Sequence, residues 1–342
     1  MSRADRDLAA ASLMADALFT APPVDGPWLV VDDPTAAVTT VLEQRGQPFA
    51  RWDRFAGGLS SDPSPEPPAG PFGAVAMRMN RAREVLEYAL HAAAARVAPG
   101  APLYLYGAND EGARSAGKRL APLFAEAETV ETRRHCRLWR AIRTEEPARG
   151  ALADHRREVT LPLPGGAVTL VSYPGVFAKG RLDDGSRLLL TALADAPLGT
   201  VRRALDFGCG LGVLALGVRQ RFAEVTLHAL DADAVAVAAA RENLPGASVA
   251  VGDRWGALAW LDTRAGGYDL IVSNPPLHRG VTLELGLLSD FVEGAARELT
   301  PGGALILVTQ QHRAAHRVVE EHLGTPQLLA EDGRFRVWLA RK

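Results

Sequence analysis

In the second half of the chain, short apolar runs alternate with longer stretches in which apolar residues recur every three or four positions. The runs predict strands at Arg203–Phe207, Thr226–Leu230, Ser248–Val251, Tyr268–Ser273, Ala304–Thr309 and Arg336–Ala340. The periodic stretches predict helices at Gly212–Arg221, Ala234–Asn243, Leu283–Leu299 and His312–His322. Strands that are apolar along their whole length must be covered on both faces, so the pattern predicts an α/β fold around a parallel sheet. Just upstream, Arg157–Leu161 and Ala167–Ser172 read as two more strands around the turn Pro164-Gly165-Gly166. The polar stretch Glu145–Gly150, broken by Pro147 and Gly150, fits neither period and divides the chain into domains at 1–148 and 149–342.

The first half repeats part of this pattern. Pro99–Tyr106, a helix, and Arg133–Ala141 with Trp139 parallel Pro301–Val308, a helix, and Arg334–Ala340 with Trp338. Trp28–Asp33 would then stand for the first strand of the second half, but Asp33-Pro34 follows where that half has glycines. The prediction is two tandem Rossmann-like folds, the first a degenerate copy without a cofactor loop. An amphipathic helix opens the chain, and the proline-rich 62–68 stretch is a surface loop.

Composition narrows the function classes. Apolar residues are 47% and charged residues 23% of 342, the balance of a globular protein. No apolar run is long enough to span a bilayer, and no secretory signal opens the chain, so a cytoplasmic monomer with no membrane partner is expected. Two cysteines, Cys136 and Cys209, provide neither a disulfide framework nor a metal cluster, and no metal is expected. The net charge of −2 gives no global attraction for a polyanion. Arg133, Arg134, Arg137, Arg140 and Arg143 form a run without intervening acids, a pattern more often a solvated face than a binding surface.

Two motifs carry chemistry. Asp206 ends an apolar strand that runs into Gly208-Cys209-Gly210-Leu211-Gly212 and then a helix. Glycines let the backbone turn sharply and lie against a bound nucleoside. The spacing is not the six-residue fingerprint that brings a pyrophosphate to a helix N-terminus. S-adenosylmethionine has no pyrophosphate, and Asp206 suits its ammonium. Asp231, ending the next strand, is placed for the ribose hydroxyls, and Asp253, after the third, for the adenine amino group. Either acid reads equally well as a turn or cap residue.

The second motif is Ser273-Asn274-Pro275-Pro276-Leu277-His278. The prolines stiffen the backbone after an apolar strand. The Asn274 side-chain oxygen and the Pro275 carbonyl can then hold the hydrogens of a conjugated exocyclic amine, so that its lone pair faces a sulfonium methyl.

With these motifs the chain resembles the bacterial ribosomal RNA guanine-N2 methyltransferases, the small-subunit methyltransferase C family and its large-subunit relative, methyltransferase G. The resemblance is carried by Tyr173–Phe177, Leu182–Ser186 with Leu188–Leu190, Asp206–Gly212, Ser273–His278 and Gly333–Val337. It implies a duplicated class I methyltransferase fold whose amino-terminal copy helps hold or recognise RNA. It also implies that Phe177, Gly185 and Ser186 close over S-adenosylmethionine, and that Lys179, Arg181, His278 and Arg279 meet RNA. The expected partner is ribosomal RNA or a ribosomal subunit, with the 16S RNA favoured. One departure stands out: the family has an aromatic after the two prolines, where this chain has Leu277. Trp255 or His278 would then supply the stacking face, or the acceptor differs. Adenine N6, a protein glutamine, or a non-catalytic role as an RNA-binding assembly factor are the alternatives; a dehydrogenase lacks its pyrophosphate fingerprint.

Overall fold

The computed structural model describes residues 3–57, 62–176, 181–260, 267–275, 281–311 and 315–342. They form two compact units, one of Met1–Arg156 with Tyr173–Gly175, the other of Arg157–Ser172 with Val176–Lys342.

The first unit contains α1 (Arg3–Thr20), β1 (Trp28–Val31), α2 (Ala37–Gln44), β2 (Phe49–Trp52), β3 (Ala74–Arg78), α3 (Arg83–Ala94), β4 (Pro102–Ala108), α4 (Gly117–Leu120), β5 (Phe124–Arg133) and β6 (Cys136–Arg143). Its sheet runs β2-β1-β3-β4-β6-β5, with parallel pairing through β4 and antiparallel pairing of β6 with both β4 and β5. β1 and β3 are buried at every position, as strands between two layers must be. The amphipathic α1 lays Ala10, Ala11, Leu13, Met14 and Leu18 onto that sheet. Residues after Glu145–Gly150 still belong here: His155 packs edge-on against Tyr88 at 5.1 Å, and its ring bonds the Arg149 carbonyl. The chain passes to the second unit at Arg156–Arg157, beyond the polar stretch.

The second unit starts with the hairpin β7 (Arg157–Leu163) and β8 (Gly166–Ser172) and continues with α5 (Asp184–Asp195), β9 (Arg203–Phe207), α6 (Val213–Arg221), β10 (Thr226–Asp231), α7 (Ala234–Asn243), β11 (Ser248–Val251), β12 (Tyr268–Ser273), α8 (Val281–Glu298), β13 (Leu299–Gln310), α9 (Ala315–Leu323), β14 (Gln327–Glu331) and β15 (Phe335–Arg341). The sheet order is β11-β10-β9-β12-β13-β15-β14, parallel through β13 and antiparallel beyond. Every strand and helix expected in this half is present, with ends shifted by a few residues; of the expected helix 312–322, residues 312–314 lie outside the described ones. Two elements were not expected: β14, a half-exposed edge strand, and α5, which buries Gly185, Ser186, Leu189, Leu190 and Leu193 along one face.

Both units end alike, in a strand, a helix and an antiparallel hairpin. In the first, the expected Arg133–Ala141 strand begins only at Cys136, because Arg134 and His135 turn the β5–β6 hairpin with φ of 48° and 62°. Leu105 pairs with Trp139, and Leu307 with Trp338. Setting these pairs equal carries the register across both sheets. Met77, beside Leu105, matches Ser273, beside Leu307; Ala76, beside Val30, matches Val272, beside Asp206. Arg78 therefore occupies the place of Asn274, and Val30 that of Asp206.

Candidate active site

The site lies in the second unit, at the carboxyl ends of β9, β10 and β12, where open parallel sheets bind ligands. From β9 the chain enters the glycine loop, where Gly208, Gly210 and Gly212 have φ of 78°, 53° and 86°, a region that side chains with a Cβ rarely adopt. A Cβ on Gly208 would meet nothing, so the backbone there borders open space; a Cβ on Gly212 would strike Leu244 at 2.7 Å. The loop is held from two directions. Gly208 and Cys209 donate to the Leu230 carbonyl, and Gly210 donates to Asp231 Oδ2 at 2.8 Å. Asp231 Oδ1 accepts from Asp233 N at 2.9 Å, so each of its oxygens keeps capacity for a further donor. Asn243, at the end of α7, adds a clamp: its amide donates to the Val171 and Leu211 carbonyls and accepts from Val171 N.

Asp206 is fully buried. Its Oδ2 accepts from Ala215 N at 2.9 Å, in the first turn of α6, while Oδ1 has no partner among the described residues. Burial pushes this carboxyl up to about 7 and that of Asp231 up to about 6. Two carboxyls held ready beneath an open glycine backbone fit a ligand that brings a cation and a pair of hydroxyls. Burial also raises the Cys209 thiol well above its ordinary value, so it stays protonated and acts as a small apolar residue. Asp253 lies one residue beyond Gly252 at the end of β11, exposed, with Arg254 at 3.6 Å.

At the end of β12, Ser273 Oγ donates to the Phe207 carbonyl at 2.7 Å and ties this strand to β9. Asn274 follows, with Nδ2 donating to Asp183 Oδ1 at 2.9 Å and to Ser186 Oγ at 3.0 Å. Both amide hydrogens are thereby used, and among the described residues nothing donates to Oδ1. Gly185 and Ser186, expected over the cofactor, are buried beside this amide: a Cβ on Gly185 would stand 3.5 Å from Asn274 Nδ2 and 3.5 Å from the Phe335 ring. Asp183 and Phe335 lie in stretches that carry the resemblance but were given no role from the sequence. Asp183 had a visible signal, since an Asp three residues before a Ser at the head of an apolar run is a helix cap.

Other expected residues fall elsewhere. Phe177, Lys179, Pro276, Leu277, His278 and Arg279 lie outside the described residues, and Arg181 is exposed just ahead of α5. Trp255, a possible stacking face, is partly buried and packs against the core, its ring centre 4.5 Å from that of Phe207 and 5.6 Å from that of Phe291. The arginine run is dispersed by strand alternation: Arg143 is buried against the carbonyls of Ala94, Leu123, Thr144 and Glu146, Arg133 pairs with Asp16, and Arg140 with Glu128. Among the described residues, no helix is long and apolar enough to cross a membrane.

Known proteins resemble both units. The methyltransferase small domain matches residues 167–339 and its N-terminal companion residues 50–158. The ribosomal RNA small subunit methyltransferase C of Stutzerimonas stutzeri is 38% identical over 291 residues, 84% of each chain; that of Pseudomonas paraeruginosa is 38% identical, covering 80% of this chain and 81% of its own. A T. thermophilus 16S rRNA N2 methyltransferase, solved with AdoMet and guanosine, superposes with a TM-score of 0.78 at 24% identity, covering 96% of this chain and 92% of its own. With duplicated sheets, a glycine loop in the second, family-model matches in both halves and 38% identity over 84% of the chain, the chain belongs to the ribosomal RNA small subunit methyltransferase C family.

Proposed function

We propose that this chain transfers a methyl group from S-adenosylmethionine to the exocyclic N2 of a guanine in 16S ribosomal RNA, acting as a cytoplasmic monomer on a ribosomal subunit. In this reading 149–342 performs the transfer, while 1–148 helps hold the RNA. The observation that carries it is the Asn274 amide, with both hydrogens used and its oxygen left over, one strand from the glycine loop.

S-adenosylmethionine supplies an electrophilic methyl on a sulfonium centre. The chain's own residues do the rest. Asp206 receives the ammonium, Asp231 the ribose hydroxyls and Asp253 the adenine amine, around the backbone of Gly208, Cys209, Gly210 and Gly212. The Asn274 oxygen and the Pro275 carbonyl accept the two hydrogens of the guanine amine and turn its lone pair out of conjugation. With the amine held this way, its nitrogen would receive the methyl of bound S-adenosylmethionine, and the surplus proton would leave for water. Positioning accounts for most of the acceleration, since no strong base is needed. Pro276 stiffens the turn, Leu277 offers the base an apolar face, and Lys179, Arg181, His278 and Arg279 meet the RNA.

The test uses small subunits from a strain lacking the gene and radiolabelled cofactor. One methyl group per particle, recovered as N2-methylguanosine, is expected; label in adenine N6 or in protein glutamine, or none, overturns the reading. Asn274→Ala should keep cofactor affinity in calorimetry and lower turnover by roughly 100-fold or more, the loss typical of one transition-state hydrogen bond. Unchanged turnover refutes the role given to the amide.

A further inference from the structure

Resting on that reading of Asn274, we propose that Asp183 is a positioning residue for the reaction: its carboxylate sets which end of the Asn274 amide faces the methyl acceptor. An asparagine amide can sit either way round, and the two ends are chemically opposite, one accepting hydrogens and one donating them. An exocyclic amine brings hydrogens. An inverted Asn274 would present donors to donors, and the lone pair would not be aligned.

The surroundings decide between the two orientations. Asp183 Oδ1 lies 2.9 Å from one end of the amide, and a carboxylate can only accept, so that end is Nδ2. Ser186 Oγ lies 3.0 Å from the same nitrogen and takes its second hydrogen. Inversion would set the amide oxygen against the carboxylate, a lone pair against a charge. The carboxylate is itself fixed, because Oδ1 also accepts from Ser186 N at 3.0 Å as the cap of the twelve-residue helix α5. Gly185 keeps the contact close: a Cβ there would stand 3.2 Å from Asp183 Oδ1 and 3.5 Å from Asn274 Nδ2. One side chain thus caps a helix and orients a reactive group, and the stiffness of the first task serves the second.

Three variants separate orientation from capping. Asp183→Ser keeps a good helix cap but draws the acceptor back from Asn274. Asp183→Asn keeps an oxygen at the same place for both bonds. Turnover of Asp183→Ser should fall roughly 10- to 100-fold, with the KM for subunits and the calorimetric affinity for S-adenosylmethionine unchanged, the range expected when a reacting group is misplaced by about 1 Å. Asp183→Asn should recover turnover to within a few-fold. On an Asn274→Ala background, Asp183→Ser should cost nothing further, since there is no amide left to orient. Unchanged turnover in Asp183→Ser overturns the proposal, as does a loss that persists in full on the Asn274→Ala background. If Asn274→Ala alone keeps full turnover, the reading of the site fails; if it loses turnover while Asp183→Ser does not, only the role of Asp183 fails.

Discussion

At the end of β12 stands Asn274, partly exposed, its amide hydrogens held by Asp183 and Ser186 and its oxygen unused among the described residues. At the matching end of β3 stands Arg78, 5% exposed, its guanidinium bonded to Asp7 at 2.8 Å, to Glu111 at 2.7 Å and to the carbonyls of Met79 and Tyr106. The contrast repeats one strand over. Asp206 lies beneath a loop of three glycines, while its counterpart Val30 leads into Asp32-Asp33-Pro34, where Asp33 caps Thr35 through both backbone and hydroxyl. Gly107, on β4, has no Cβ because one would stand 2.9 Å from the Arg78 guanidinium and 2.3 Å from Met79. In the first sheet the carboxyl end is filled by the buried Arg78 and the carboxylates that hold it; in the second it borders an open glycine backbone and an amide oxygen with capacity left over. The same fold makes a site or closes one according to what fills that end of the sheet.

The largest effect expected from this contrast is at Arg78. Its buried charge is held by two carboxylates, which raise its pKa against the opposing cost of burial. Arg78→Met removes the cation from between Asp7 and Glu111 and should lower unfolding stability by about 3–5 kcal/mol, the usual cost of breaking a buried pair from one side. Urea unfolding of the full chain measures this, and the affinity for S-adenosylmethionine should be untouched. A loss under about 0.5 kcal/mol would mean that the arginine does not hold the closed end together.

A smaller effect of opposite sign is expected at Asp206. Burial raises its carboxyl to about 7, so the ionised form is disfavoured in the folded chain relative to the unfolded one. The penalty is full above pH 7, shrinks as pH falls through 7, and is gone near pH 4, where the unfolded chain also binds the proton. Asp206→Asn can still accept from Ala215 N. It should therefore raise the stability of the ligand-free protein at pH 8, by at most on the order of a few kcal/mol, with the gain vanishing toward pH 4. The same substitution should weaken cofactor binding severely at pH 8. Destabilisation at pH 8, or full retention of affinity, would show that this acid serves only as a structural cap.

What the sequence disclosed follows the same division. Strands covered on both faces announce themselves as unbroken apolar runs, so β9 to β13 and β15 were legible, as were Asp206 and Asn274 at their ends. β14 was not, because an edge strand with one side in water has no such run. The register that makes Arg78 the counterpart of Asn274 was also invisible, since only pairing through Trp139 and Trp338 defines it. The hydrogen bonds that qualify the site were hidden for a different reason. Asp183 meets Asn274, and Asn243 meets Val171 and Leu211, across long sequence separations that no local period encodes. The arginines show the reverse: Arg137, Arg140 and Arg143 are close in sequence yet alternate across β6, and Arg143 is buried.

The smallest expected effect tests that last point. Arg140 reaches Glu128 across the β5–β6 hairpin at 3.4 Å, and the two side chains are 36% and 63% exposed. A pair so open to water is screened and contributes little, so Arg140→Ala should change unfolding stability by less than about 0.5 kcal/mol, with no difference between low and high salt. The salt dependence of subunit binding gives the sharper readout. A side chain that neutralises a phosphate contributes about one to the slope of log affinity against log salt, and one already paired with a carboxylate contributes much less. With Arg140 paired to Glu128 and Arg143 bound to four carbonyls, the slope should be unchanged in Arg140→Ala. A fall of about one would make this hairpin a phosphate-binding edge. The first sheet would then be closed to a cofactor at its carboxyl end but open to nucleic acid along its side, which would redraw the comparison between the two copies.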